Sequence, residues 1–464
     1  MSGSLPIRIF TPQGMLGYGY DLEDFRRVVE EGVDVMVVDS GSTDPGPYML
    51  GLGHTLVTVE SYARDLRPML RAVSDHHIPL VISSAGGAGT DEQVAWMTDL
   101  VNRLAEEEGL SLSVVTIGAD VPADVVTDRL ARGLVEPNVL GELPSEKDVA
   151  QATGLVAQMG AEPFLKVLAS DEPFDVIIAG RAYDPAPHAA FALHHGVEPG
   201  IAWHMGKILE CGGACAEPKG GGVVATVHRD SFALTPTGPA QVCTPLSVAA
   251  HTLYEKSRPD LLPGPGGVLD VRGCAYEAVD DRTVRVTGSR FLPGGRTALK
   301  VEGAAVVGHR AMFIGGIHDP VLIGQLDAFL DRVERHAGEL HPELAAGAAQ
   351  LMFHVYGRDA VMGPREPSTA VPHEVGVLGE VTAQTPELAL AICTTVRIGC
   401  LHLSYPGQVA TAGNLALPLN PMESSVGPVC AFTLYHLMDV DGLDGLFPVE
   451  RRQVGRTRLR EAAV

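Results

Sequence analysis

The stretch DVIIAGRAYDP, Asp175 to Pro185, decides how the rest of the chain reads. A short, uninterrupted apolar run rich in β-branched residues is the pattern of a strand buried on both faces, as in a parallel sheet. Gly180 ends the run, and Arg181 and Asp184 then project from its carboxyl end, the edge at which ligands sit in open α/β sheets. Shortly afterwards HMGKILECGGAC (204–215) adds another cation, an acid and two thiols.

Working outward, IRIF (7–10), VDVMVVDS (33–40), PLVISS (79–84) and LSVVTIG (112–118) are further β-rich runs. Between them Leu22 to Glu31, Val59 to Ser74, Asp91 to Glu108 and Ala123 to Arg132 have the amphipathic spacing of helices, with Thr90 as the N-cap of the third. Strand and helix in alternation predict α/β architecture: a doubly wound, mostly parallel sheet over residues 1–220. From about Gly221 the texture changes to Thr- and Val-rich runs such as VVATVH, GGVLDVRG, TVRVTGS and ALKVEGAAVVG, which predict a β-rich α+β domain over 221–345. After a helix from Asp319 to His336, the run HEVGVLGEV (373–381), a helix from Thr385 to Leu401 and VCAFTLYHLM (429–438) predict a small α+β unit over 346–464. Cys393 and Cys400, seven apart, fall on one face of that last helix and are expected in its core. The closing RRQVGRTRLREA is expected as a basic, solvated tail or oligomer contact.

Apolar residues make up 45% of the 464 and charged residues 20%, which suits large cores. With 34 basic against 57 acidic residues, the net charge of −23 repels nucleic acid and anionic membrane surfaces. A small anionic substrate stays compatible, because Arg181, Lys207, Arg358 or Arg397 can supply a local positive site. Seven cysteines without a disulfide-rich spacing fit reduced thiols, and the N-terminus has no secretory pattern, so a cytoplasmic location is expected. A homo-oligomer is expected by analogy with other multidomain α/β enzymes.

Several constellations can carry chemistry. In LVISSAGGAG (80–89), Ser84, Gly86 and Gly87 form a turn whose N–H groups either cradle a substrate anion or merely join strand to helix. Neither a Walker A loop nor a full GxGxxG pattern is present, so no nicotinamide or flavin is expected. In VDSGSTDPGPY (38–48), Asp39 and Asp44 are candidate oxygen ligands for a divalent metal such as Mg²⁺, with Ser42 a candidate substrate contact. Asx and Ser side chains closing a turn on their own backbone explain the same residues. Arg181 is a candidate bidentate anion binder, and Asp184 is either an active-site acid or the cap of the next helix. A helix over 204–215 would put His204, Lys207 and Cys211 on one face, with Glu210 the candidate general acid/base and Lys207 a substrate contact. Cys211 is either a nucleophile or an inert thiol, His204 reads as structural, and Cys211-x₃-Cys215 lacks the second pair of a zinc site. The polar loops 402–414 and 356–363 are candidates to cap the first domain's pocket or that of a neighbouring subunit.

ISSAGG (82–87), AGRAYDP (179–185), GKILECGG (206–213), the stretch from TPTGP to LYEKSRPD (235–260), VTGSR (286–290) and VGHRAMFIGG (307–316) together resemble the acyclic terpene utilisation family, over roughly the first 340 residues. HLSYPGQVATAGN (402–414), VCAFTLYHLM and LFPVE (446–450) resemble the later part of longer members, which implies a ferredoxin-like final unit. Some of those members are associated with methylaspartate ammonia-lyase chemistry. The resemblance implies Ser84, Gly86, Gly87, Arg181, Asp184, Glu210 and Cys211 as shared positions.

The expected function is a lyase, hydratase or isomerase step on a small branched carboxylate or its CoA thioester. Arg181 would bind the anion, Glu210 would move a proton, and the N–H groups near Gly86 and Gly87 would stabilise developing charge. The alternatives are a hydrolase or acyl-transfer enzyme with Cys211 as nucleophile, and a noncatalytic subunit of a degradative complex.

Overall fold

The computed structural model describes residues 5–138, 141–254, 258–409 and 411–455. The fold is mixed α/β, and the chain forms two compact units, Met1–Ala305 with Phe432–Val464, and Val306–Ala431.

In the first unit the strands are β1 (Ile7–Thr11), β2 (Val35–Asp39), β3 (Leu80–Ser83), β4 (Ser111–Ile117), β5 (Val135–Pro137), β6 (Gly154–Gln158) and β7 (Val176–Ala179), followed by the later strands named below by their residues. β1, β2, β3, β7 and β4 lie side by side in that order, all parallel. Ile9, Val35, Val37, Val81, Val115 and Ile177 enter one core, whereas Phe10, Met36, Val38, Ile82, Val114 and Ile178 enter another. The first core also takes Phe164, Ala189 and Ile208 from the helices Glu162–Leu168, Ala186–His194 and Pro199–Leu209. The second takes Phe25, Leu66 and Val101 from Leu22–Glu31, Val59–His76 and Asp91–Glu108. Cover on both faces is why these strands read as continuous apolar runs rather than alternating ones. The Thr90 hydroxyl accepts from Gln93 N–H and the Gln93 side chain accepts from Thr90 N–H, a capping box that fixes where the third helix begins.

The strands that residues 1–220 give this sheet are parallel, as expected, but later parts of the chain extend it with antiparallel ones. Val223–Val227 pairs antiparallel with β1, and Ser231–Pro236, Val284–Thr287 and Ala275–Ala278 follow it outward. The Thr- and Val-rich runs just after Gly221 thus add strands to the first sheet. At the opposite edge Val449–Gly455 pairs antiparallel with β4 from Val449 against Ile117 to Gly455 against Ser111. The expected basic tail therefore begins as a sheet strand, and its part from residue 456 lies outside the described residues. Antiparallel neighbours on both sides leave neither edge of the parallel centre unpaired.

In the second unit the order along the sheet is Gln350–Tyr356, Val375–Ala383, the later half of Ala298–Ile317, then Glu423–Asp439. Phe313, Val377 and Val381 of the sheet share a core with Phe329 and Val333 of Leu326–Leu340 and with Ile392, Cys393, Val396 and Cys400 of Pro386–His402. The helix expected over 319–336 is two, Pro320–Ile323 and Leu326–Leu340. In the 402–414 loop the polar side chains serve the unit itself: Tyr405 donates to Asp319 at 2.6 Å and Asn414 to the Leu403 carbonyl at 2.8 Å. Arg397 pairs with Glu423, and Arg358 with Asp327 and Asp359. Among the described residues no helix is long and apolar enough to cross a membrane.

Candidate active site

At the carboxyl ends of β2, β3 and β7 three loops pack backbone against backbone. A Cβ on Gly41 would stand 2.1 Å from the Gly87 Cα, and one on Gly89 would stand 2.3 Å from the Arg181 nitrogen, so only glycine fits at either point. Between them Ser84, the residue after β3, lies in the left-handed region at φ 47°, a strained position for a residue with a Cβ. Its buried hydroxyl accepts from Arg181 Nη1 and from Ala182 N–H, each at 3.4 Å. The Gly86 N–H donates to Ser40 Oγ and the Gly87 N–H to the Ser84 carbonyl, both at 3.1 Å. These two donors hold the turn together and are not turned toward a ligand.

Arg181 is 2% exposed and is held from several sides. Its Nε donates to Glu302 Oε2 at 2.9 Å, its Nη2 lies 3.4 Å from Glu302 Oε1, and its Nη1 reaches the Ala182 carbonyl and Asp184 Oδ1. Burial works against its charge, but Glu302 and Asp184 outweigh that and raise its pKa, so the guanidinium stays charged. Glu302, fully buried on the strand Ala298–Ile317, is pushed down to about 2 because the fields of Arg181 and Lys300 overcome its own desolvation. The edge of Arg181 expected to grip a substrate carboxylate bidentately is therefore occupied by a protein carboxylate.

Carboxylates crowd the same edge. Asp39 Oδ1 accepts from Ser83 Oγ at 2.9 Å and from Ser40 N–H at 3.0 Å. Burial, reinforced by Asp184, raises its pKa well above the usual range against the pull of Arg181. Asp184 is raised as well, by burial first, with Arg181 opposing and Asp44 adding to the rise, although its side chain keeps 30% exposure. Ser42 Oγ accepts from the Asp44 N–H at 3.1 Å, so Ser42 closes its own loop. Among the described residues no three or more His, Cys, Asp or Glu are grouped to hold a metal ion.

The helix expected over 204–215 ends at Leu209, with Glu210 as its C-cap, and a short 3-10 turn covers Gly212–Cys215. The break comes where the loop after β1 crosses: a Cβ on Gly14 would meet the Cys211 carbonyl carbon at 2.8 Å. Lys207 and Glu210 are both buried and form an ion pair one turn apart. His204 faces away from the acids, bonding Ser289 at 2.7 Å and Thr252 at 2.9 Å, and burial pushes it down to about 3, so it is neutral and structural.

A cavity of about 600 Å³ opens on Asp44, Arg181 and Asp184 from the expected set, together with Gln158, Tyr183, Lys300 and Tyr435. Ser42, Ser84, Gly86, Gly87, Lys207, Glu210, Cys211 and Asp39 are not among its lining residues, although Asp39 and Glu210 stand close enough to act on the lining residues electrostatically. Sequence reasoning missed Lys300, Glu302, Tyr435 and Gln158. The available signal was the charged face Lys300, Glu302 in the otherwise apolar alternation ALKVEGAAVVG.

The model of the family described as acyclic terpene utilisation family protein AtuA matches residues 7–418. The chain belongs to that family. The match takes in the whole parallel centre of the first sheet, the Arg181 and Asp184 loop, Glu302, and all of the second unit as far as residue 418. Comparison with curated proteins and with solved structures gave no match.

Proposed function

We propose that this member of the acyclic terpene utilisation family is an enzyme that moves a proton on a small branched carboxylate or its CoA thioester, in a lyase, hydratase or isomerase step. The observation that carries the reading is the pair Arg181 and Asp184, 3.4 Å apart on the wall of one cavity at the carboxyl edge of a parallel sheet. Asp184 is the proton carrier in this reading. Its carboxyl is exposed to the cavity, and burial and neighbouring acids raise its pKa toward the range in which a carboxyl both gives and takes a proton. Arg181, locked by Glu302, supplies fixed positive charge beside a developing enolate or carboxylate. Asp39 shares the same field. Glu210, the acid expected from sequence, is paired with Lys207 and does not line the cavity.

In this reading the cytoplasm is the site of action and the chain works as a homo-oligomer. The strand, helix, strand, strand, helix, strand sequence of the second unit, with its sheet order, supports a ferredoxin-like identity.

Solvent exchange tests the chemistry without knowledge of the reaction direction. The wild-type chain in D₂O is expected to place deuterium next to the acyl carbon of a branched acid or acyl-CoA, read by NMR, and Asp184→Asn is expected to slow this by about 10²-fold or more. Exchange at the wild-type rate in Asp184→Asn would remove Asp184 from the role. No exchange with any compound of a broad panel would favour the noncatalytic subunit.

A further inference from the structure

One wall of the cavity comes from two strands distant in sequence, Ala298–Ile317 and Glu423–Asp439. Side chains two apart share a face of a strand. Ala298 and Lys300 accordingly line the cavity from the first strand, with Glu302 next on that face, and Tyr435 and Leu437 line it from the second. The antiparallel register sets Gln158 of β6 directly opposite Lys300, which puts a side-chain amide beside the ammonium.

The Lys300 Nζ donates to the Tyr435 hydroxyl at 2.7 Å and pairs with Glu302 Oε1 at 2.6 Å. An ammonium carries three donors, so one N–H is left, and a phenol oxygen that accepts from an ammonium keeps its own proton to donate. Among the described residues no protein group takes either donor. Lys300 and Arg181 also share the carboxylate of Glu302 between them, and Arg181 reaches Asp184 besides.

We propose that Lys300 and Tyr435 bind an ionised carboxylate of the substrate, with Gln158 beside them, and that Glu302 is the positioning residue that holds Lys300 and Arg181 in place. The inference rests on the proton-transfer reading above and names what that reading leaves open. The substrate presents a free carboxylate to this wall while its reacting carbon lies toward Arg181 and Asp184. A free branched acid, or a thioester that carries a second, free carboxylate, meets that requirement. A compound whose only acyl group is a thioester does not.

The test is calorimetric titration of the full chain with 3-methylbutanoate, 3-methylglutarate and, as the neutral match, 3-methylbutanamide, at constant pH and ionic strength. Wild type, Tyr435→Phe and Lys300→Met are compared. Tyr435→Phe keeps the ring against Lys300 and loses only the hydroxyl, so it guards against a folding defect in Lys300→Met. The expected result is that the carboxylates bind, the amide does not, and both substitutions weaken the carboxylates by roughly ten-fold or more. The site is overturned if the amide binds as tightly as the acids, or if Tyr435→Phe stays within about twofold of wild type. In either of those cases, deuterium exchange that still depends on Asp184 leaves the proton-transfer reading standing. If neither carboxylate binds the wild-type chain at tens of millimolar, the carboxylate site and the substrate class fall together.

Discussion

The Nε of Arg181 donates to Oε2 of Glu302 at 2.9 Å, and neither side chain is more than 2% exposed. Removing one partner of such a pair strands a charge away from water, so Glu302→Ala is expected to cost roughly 3 to 5 kcal/mol in urea unfolding. The pair also fixes a pH window. Because Glu302 is held at about 2 against an ordinary 4.5, its contribution is complete above about 4.5 and disappears as pH falls through about 2. Stability measured across that interval should fall in the wild type and stay flatter in Glu302→Gln.

Asp39 predicts the opposite slope. Burial and Asp184 raise its pKa in the fold, so its contribution is complete below the usual aspartate value and is lost as pH rises through the raised one. Asp39→Asn keeps an oxygen for the Ser83 hydroxyl and discards that penalty. It should raise the unfolding midpoint at pH 8, by about 1 kcal/mol in stability, and should bring no gain at pH 4.

Gly41 and Gly87 touch so closely that a methyl group on the first overlaps the backbone of the second. Gly41→Ala is expected to lose about 3 kcal/mol or more, since backbone cannot give way as a side chain can. Circular dichroism melting should show the loss, and deuterium exchange should fall with it because the loop that holds Asp44 moves.

Cys211 lies beyond the helix that ends at Leu209 and does not line the cavity. Cys211→Ala should therefore keep solvent exchange within about twofold of wild type. Stoichiometric alkylation of Cys211 that abolishes activity and is blocked by substrate would instead restore the acyl-transfer alternative.

The parallel centre was legible because each of its strands is buried on both faces and so carries an unbroken apolar run. Helix starts were legible where a cap names them, as Thr90 with Gln93 does. The membership of the strands after Gly221 was not, because an antiparallel strand has the same alternation whichever sheet it joins. For the site, Arg181 and Asp184 announce themselves at one strand end, but the partners that define what Arg181 can do come from far along the chain. Glu302 is 121 residues away, and Tyr435 is 135 residues from Lys300. Local spacing carries no record of such pairings. The helix expected through Cys211 failed for a related reason: it is interrupted by a loop from the first strand, which packs on the Cys211 backbone at Gly14.

The strand that closes the edge of β4, Val449–Gly455, is synthesised long after β4 itself. While the ribosome works through everything between, β4 has a row of bare peptide groups and nothing of its own to set against them. A nascent chain that stalls, or is clipped ahead of residue 449, offers that row to any extended segment nearby, including the same segment of another copy. Truncation ahead of residue 449 should then appear first as inclusion bodies rather than as a weaker catalyst.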